Sequence, residues 1–274
     1  MHKALRMLHF ITRQHPWGRR HPLQACWRLL RWQWHARTSA TPKLVPWIGN
    51  AKIWLAPGLP AATGNYYLHL YEYHDMQFLL RLLQPGQYFA DVGANIGSYT
   101  ILASAVCQAH SIAIEPVPQS LHWLQRNVEA NQIEGLTTLV QAALSHSPGQ
   151  GYITQHLGAM NHLTPQPGSQ SLAVPIHTLD QVLQGRTPTL VKIDVEGAET
   201  LVLLGANHTL QQPDLLALIV ENAGHSPQQD QPTPHQLLLQ HGFATAQYNG
   251  FTNSLLPLPG PAHHNTLYVR PWLL

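Results

Sequence analysis

FADVGANIGSYT, residues 89–100, decides how this chain is read. Phe89, Ala90 and Val92 continue a strand-like run from Tyr88, and Gly93 and Gly97 then make a turn that SYTILASAVC (98–107) leaves as a helix. Upstream, HDMQFLLRLLQ (74–84) sets Met76, Leu79, Leu80 and Leu83 at helical spacing, and Pro85-Gly86 stops it. Downstream, SIAIEP (111–116) reads as a second strand, PQSLHWLQRNVEANQ (118–132) as a helix and LTTLVQAAL (136–144) as a third strand. TLVKIDVEG (189–197) and LLALIVEN (215–222) are strands apolar on both faces, the mark of a parallel sheet. Pro234 to His241 is helical, and FATAQYN (243–249) and NTLYVRP (265–271) close the chain as expected edge strands. Strands alternating with helices predict an α/β, doubly wound sheet.

In such a sheet ligands sit beyond the carboxyl ends of the strands, so the chemistry is expected there. The turn reads G-x-x-x-G, not the G-x-G-x-x-G that lays a pyrophosphate on a helix N-terminus. An acidic Asp91 before the turn repels a pyrophosphate and suits a cationic amino group. Glu115 follows Gly93 by 22 residues, close to the ~20 at which an acid accepts ribose hydroxyls. Together they describe a nucleoside with an aminoacyl tail, and S-adenosyl-L-methionine fits. The absent middle glycine disfavours an NAD-dependent enzyme.

FADVGANIGSYT, IAIEP, TLDQVL and VKIDVEGAE occur in an order and spacing that resembles the FkbM-type S-adenosylmethionine-dependent methyltransferase family, from about Tyr71 to Arg270. The resemblance implies a class I methyltransferase (Rossmann-like) fold, a mostly parallel seven-stranded sheet with an antiparallel last strand. It implies methyl transfer to a hydroxyl of a sugar, glycolipid or polyketide-like acceptor. By matching motif, Asp91, Gly93, Asn95 and Gly97 surround the methionine portion, Glu115 holds the ribose, and Gln141 and Ala142 lie near the adenine edge.

An aliphatic hydroxyl must lose its proton as it attacks, or bind a metal. Asp194 and Glu196 end the fourth strand and Glu221 the fifth, so these carboxylates are the catalytic candidates, with Asp194 first as base or orienter. Crowding of like charge raises one of their pKa values. Asp194, Glu221 and Asn222 are also a candidate all-oxygen divalent site, an arrangement that resembles the metal site of catechol O-methyltransferases. Glu196 and Glu199 have a structural reading as helix caps. Lys192, buried in an apolar strand, is expected to pair with a carboxylate. His225, beside Ser226 and Pro227, is an alternative base. The stretch from Gly149 to Pro175, with Gly158, Met160, Asn161 and His162 at its centre, is a candidate substrate lid.

Only 10% of the 274 residues are charged and 44% are hydrophobic, enough for a packed core. Residues 1–60 carry ten basic and no acidic side chains, formally +10, and the remainder is −8. Six of the eight tryptophans, Trp17, Trp27, Trp32, Trp34, Trp47 and Trp54, lie in the basic part. Residues 1–64 are therefore divided off as a basic Trp-rich extension and linker from a domain at 65–274. The extension is either a helical cap on the domain or a peripheral anchor at an anionic membrane. No nucleic-acid module is recognisable. No apolar run reaches the ~18–20 residues of a spanning helix and no signal peptide is recognised, so the expectation is cytoplasmic, peripheral at the inner face of a membrane if the extension anchors. Two reduced cysteines, Cys26 and Cys107, agree with that compartment. The alternative to an enzyme is a non-catalytic S-adenosylmethionine-binding scaffold recruited through the extension.

Overall fold

The structure, a computed structural model, describes residues 7–39, 41–154, 163–164, 171–222 and 232–274. The parallel heart of the sheet is β3 (Tyr88–Val92), β4 (His110–Ile114), β5 (Thr137–Val140), β10 (Leu190–Ile193) and β11 (Ala217–Glu221). They stand in the order β5-β4-β3-β10-β11 and are joined to β14 (Asn265–Val269), β12 (Ala244–Asn249) and β13 (Ser254–Pro257). The chain moves outward from β3 through β4 and β5, then returns to add β10 and β11 on the other side. That reversal opens a crevice beyond the carboxyl ends of β3 and β10.

Two expectations are corrected here. The sheet has eight strands, not seven, because the chain turns at Asn253, with φ of 53°, and lays β13 back along β12. Neither FATAQYN nor NTLYVRP is an edge strand: β14 is antiparallel to both β11 and β12 and lies between them, and β12 lies between β14 and β13. Within β3, β10 and β11 successive residues alternate between two cores. Phe89, Leu190, Ala217 and Ile219 join one cluster, and Ala90, Val92, Val191, Ile193, Leu218 and Val220 the other. Helices α7 (Leu179–Leu183), α8 (Glu199–Leu204), α9 (Asn207–Leu210) and α10 (Pro234–Gln240) cover the second face. A reciprocal cap starts α7, with Thr178 Oγ1 accepting from Gln181 N at 3.1 Å while Gln181 Oε1 accepts from Thr178 N at 3.1 Å.

The third predicted strand divides. β5 ends at Val140, and β6 (Ala143–Leu144) leaves for a second sheet of order β6-β9-β7-β8, made with β7 (Gly149–Thr154), β8 (Leu163–Thr164) and β9 (Ser171–His177). The described residues of the stretch read as an irregular lid are β-structure; Gly158, Met160, Asn161 and His162 lie outside the described residues.

The first face is covered by α3 (Pro60–Leu68), α4 (Tyr73–Leu82), α5 (Ser98–Ile101) and the N-terminal segment. That segment holds α1 (Pro16–Arg20), α2 (Pro22–Thr38) and a hairpin of β1 (Lys43–Pro46) with β2 (Lys52–Leu55), where a linker was expected. Its Ile11, Trp32, Trp47, Ile53 and Leu55 are buried in one cluster with Phe89 and Ile219 of the sheet. Side chains of α6 (Pro118–Asn131) act as a strand partner for β2. Asn127 Oδ1 accepts from Trp54 N at 2.9 Å, and Asn131 takes the N–H and C=O of Lys52 at 2.7 and 2.8 Å. His15 Nε2 lies 2.9 Å from the Leu70 carbonyl and Nδ1 accepts from Gly18 N, tying the first turns to the segment before α4. A division at residue 64 therefore cuts through a continuous core. Among the described residues no helix is long and apolar enough to cross a membrane.

Removal of residues 1–60 is expected to yield insoluble or unfolded protein. Trp32→Ala is expected to destabilise by about 3–5 kcal/mol, since it empties a packed site. Denaturant unfolding checks the second, and an unchanged midpoint would show that the segment does not share the core.

Candidate active site

The β3–α5 turn is built as much for packing as for a ligand. Gly93 has φ of 79°, and a Cβ there would stand 1.8 Å from the Asp194 carbonyl oxygen of the neighbouring strand end. Gly97 has φ of 85°, and its Cβ would meet Leu124 Cδ1 at 2.2 Å. Asp91 is buried, and its Oδ2 accepts from Thr100 N at 3.1 Å and Thr100 Oγ1 at 2.6 Å. Burial pushes its pKa up to about 6 against those two bonds and the charge of Lys192. Gly93 and Asn95 line the cavity beyond the strand ends; Asp91 and Gly97 do not. Asp91 fastens the first turn of α5, and Gly97 lets α6 pack close.

Glu115, at the end of β4, faces the same cavity. Its Oε2 accepts from Asn95 N and its Oε1 from Val117 N, both at 2.8 Å. A carboxylate offers about four acceptor positions, so each oxygen keeps capacity for a sugar hydroxyl. Burial raises the Glu115 pKa to about 7 despite the two N–H bonds. Ala142 is on the wall with Val117, Leu144 and Ile153, an apolar slot, whereas Gln141 is exposed and off the wall.

This cavity measures about 430 Å³. Five carboxylates line it, Glu72, Glu115, Asp194, Glu196 and Glu221, and among the described residues no lysine or arginine does. Met7, Pro60, Ala61, Thr63 and Gly64 of the N-terminal third complete the wall. A second cavity of about 1000 Å³ adjoins it and shares Tyr71, Glu72 and Glu221. Phe10, Tyr73, Tyr248, His74, His263 and His264 give the larger space an aromatic and imidazole lining.

The charges at the junction are set by one cation. Lys192 is buried, and its Nζ lies 2.5 Å from Asp194 Oδ2 and 4.9 Å from the centre of the Tyr99 ring. Burial alone would lower the Lys192 pKa, but Asp194, Glu72 and Asp91 outweigh it and hold the ammonium charged. Asp194 pays back the favour electrostatically: burial disfavours its charge, yet Lys192 keeps the carboxyl below its ordinary pKa. Glu221 has no such partner. Burial, then the charge of Asp194, pushes it up to about 8, and its Oε2 is buried with no hydrogen-bond partner. Asp75, on α4, is likewise raised to about 7 by burial and by Glu72, while Asn265 Nδ2 donates to Glu72 Oε1 at 2.5 Å and Asp75 Oδ2 at 3.0 Å. The hydroxyl of Tyr99 is buried without a partner.

Glu72, Asp75 and Tyr99 were not legible as site residues. The two acids sit three apart before an amphipathic helix, a pattern that reads as ordinary acids of a first turn, and only the tertiary fold brings them to Glu221. Glu199 takes the structural reading, its Oε1 accepting from Gly197 N at 3.0 Å and Val195 N at 3.3 Å, while Glu196 lines the cavity. Asp194, Glu196 and Glu221 can present ligand atoms within 4.8 Å of one another, the separation a hard divalent ion needs. Asn222, the third member expected for that set, donates from Nδ2 to the Ala262 carbonyl and to Thr266 Oγ1, fastening the loop before β14. His225, Ser226 and Pro227 lie outside the described residues.

Comparison with known proteins places this geometry among methyl-transferring enzymes. The family model described as "Methyltransferase FkbM domain" matches residues 91–245. The chain is 26% identical over 155 residues to the hexuronic acid methyltransferase AglP of Haloferax volcanii, covering 56% of this chain and 63% of that protein. It is 30% identical over 113 residues to the ribosomal protein L11 methyltransferase of Chloroflexus aurantiacus, covering 41% of this chain and 33% of that one. It thus spans less than two thirds of either relative. A solved FkbM methyltransferase from Methylobacillus flagellatus aligns over 77% of this chain and 54% of its own, with 14% identity and a TM-score of 0.45.

The raised pKa of Glu221 carries a stability consequence. A folded-state pKa above the unfolded one favours the fold below about pH 4.5, and the contribution is lost as pH rises through about 8. Glu221→Gln, neutral throughout, is expected to melt about 2–4 °C above the parent at alkaline pH, with the gap closing in acid. Parallel melting curves across the pH range check this; a constant gap would show that Glu221 is not raised.

Proposed function

The chain belongs to the methyltransferase FkbM domain family, and from that premise we propose that it transfers a methyl group from S-adenosylmethionine to a hydroxyl of a sugar or sugar-bearing acceptor. The observation that carries this reading is the position of Glu221, shared by a carboxylate-lined cavity of cofactor size and a larger aromatic one. The residues fit the donor: an apolar slot at Ala142, Leu144 and Ile153 for the base, Glu115 for the ribose hydroxyls, and for a positive charge acids with, among the described residues, no lysine or arginine beside them on the wall. When bound, the cofactor supplies an electrophilic methyl on a sulfonium centre.

The roles divide by charge state. Asp194, held ionised by Lys192, accepts a hydrogen bond from the acceptor hydroxyl and orients it. Glu221, whose pKa of about 8 is far better matched to a base, takes the proton as the oxygen attacks. This reverses the order in which the sequence ranks the two. The relative named as a hexuronic acid methyltransferase supports a sugar, as does the lining of Tyr71, Tyr73 and Tyr248, because sugar rings stack on aromatic faces while their hydroxyls bond to polar groups such as Asn265. A polyketide-like hydroxyl would use the same chemistry. A scaffold without turnover leaves unexplained the cost of holding the Glu221 Oε2 buried without a hydrogen-bond partner beside Asp194.

A second reading rests on the three carboxylates: a divalent ion at Asp194, Glu196 and Glu221 would lower the hydroxyl pKa instead. Activity undiminished by exhaustive chelation would remove it.

Glu221→Gln is expected to lower kcat by about 10²–10⁴-fold, as loss of a general base does. At neutral pH, where Glu221 is mostly protonated, the variant's affinity for S-adenosylmethionine should stay within about threefold of the parent. In the parent, kcat/KM is expected to rise with pH and to level above about 8. Asp194→Asn is a less clean probe, since it also strands Lys192 in the interior. Glu115→Ala is expected to weaken the cofactor by about 1–3 kcal/mol with little change in kcat. Methyl incorporation into sugar and glycolipid acceptors, with calorimetry for the cofactor, checks all three; cofactor binding with no transfer to any hydroxyl would favour the scaffold.

A further inference from the structure

Helix α2 is apolar on two opposite faces, and only one of them is used by the protein. Ala25 and Trp32 are buried, and Leu29 and Ala36 pack against the same core. On the other side Leu23, Trp27, Leu30 and Trp34 are 87%, 65%, 63% and 70% exposed. Their spacing of four, three and four residues confines them to an arc of ~60° and a line of ~16 Å along the axis. Nothing in the described chain covers this stripe.

The surroundings of the stripe are basic. Arg31 and Arg37 are exposed on α2 and fall beside the stripe at helical spacing, and Arg13 and Arg19 are exposed just before the helix. Among the described residues none of these four pairs with a carboxylate, and residues 1–60 contain no acidic side chain at all. Such a surface is poorly matched to a second copy of itself, because stripe-to-stripe contact would bring two arginine-flanked helices together. It is well matched to a surface that is apolar below and anionic above. Tryptophan favours the boundary between headgroups and acyl chains, and each arginine near an anionic leaflet strengthens binding roughly fivefold.

We propose that α2 is an interfacial helix that lays this protein flat on an anionic lipid bilayer, with Leu23, Trp27, Leu30 and Trp34 in the headgroup region and Arg31 and Arg37 against lipid phosphates. The helix supplies no described residue to either cavity wall, so this inference stands apart from the methyl-transfer reading and fails separately from it.

The test uses the full chain with vesicles of phosphatidylcholine, alone or mixed with phosphatidylglycerol, in flotation and tryptophan-fluorescence titrations. Partition onto the mixed vesicles is expected to be at least about tenfold stronger, to weaken with salt and to shift emission to the blue. Trp27→Ser with Trp34→Ser, and separately Arg31→Gln with Arg37→Gln, should each reduce it about tenfold or more while leaving thermal unfolding unchanged. Equal partition onto both vesicles, undiminished partition of the tryptophan pair, or a dimer that the same pair dissolves would each overturn the proposal.

Discussion

A lysine with no water around it has to be balanced by acids, and much of this molecule is arranged around that requirement. Lys192 stands in the middle of a parallel sheet, directly across from Asp91 on β3 and two residues before Asp194. It holds Asp194 ionised, and burial together with an ionised Asp194 keeps Glu221 from ionising at its ordinary pH. Two carboxyl groups at adjacent strand ends are thereby driven to opposite states, which is how a site acquires both an orienter and a base. Among the described residues no lysine or arginine stands on the cavity wall beside the acids, and the sign of the resulting field governs what the cavity can hold.

The N-terminal third has a larger part in this than its composition suggests. It buries the sheet face that carries Lys192, closes one wall of the smaller cavity through Pro60 to Gly64, and lends Phe10 and Pro16 to the larger one. Its tryptophans are divided accordingly: Trp32 and Trp47 are core, whereas Trp27 and Trp34 face outward.

The fold was legible because its signals are local. The glycine turn, the apolar runs and the helix stops each declare themselves within about ten residues. The acids at the ends of β4, β10 and β11 could be located because strand ends are where an open α/β sheet binds ligands. What escaped depends on contacts between distant parts of the chain. The bonds of Asn127 and Asn131 to β2 join residues 73 and 79 apart, and no pattern in a basic, Trp-rich segment announces them. Asp91 was assigned to the ligand because its spacing fits one; its commitment to Thr100, nine residues on, belongs to the particular turn. The sequence ranks Asp194 ahead of Glu221 as the base, and it is the contact of Asp194 with Lys192 that reverses the order.

The central claim is electrostatic: the cavity favours a cationic donor, and increasingly so as Glu221 ionises. Calorimetric affinities for S-adenosylmethionine and for its uncharged thioether product, S-adenosylhomocysteine, measured side by side from acid to alkaline pH, test it most directly. The account predicts that the ratio in favour of the sulfonium compound grows as pH passes through about 8 and that Glu221→Gln flattens it. A ratio independent of pH in the parent, or binding of neither compound, would contradict it.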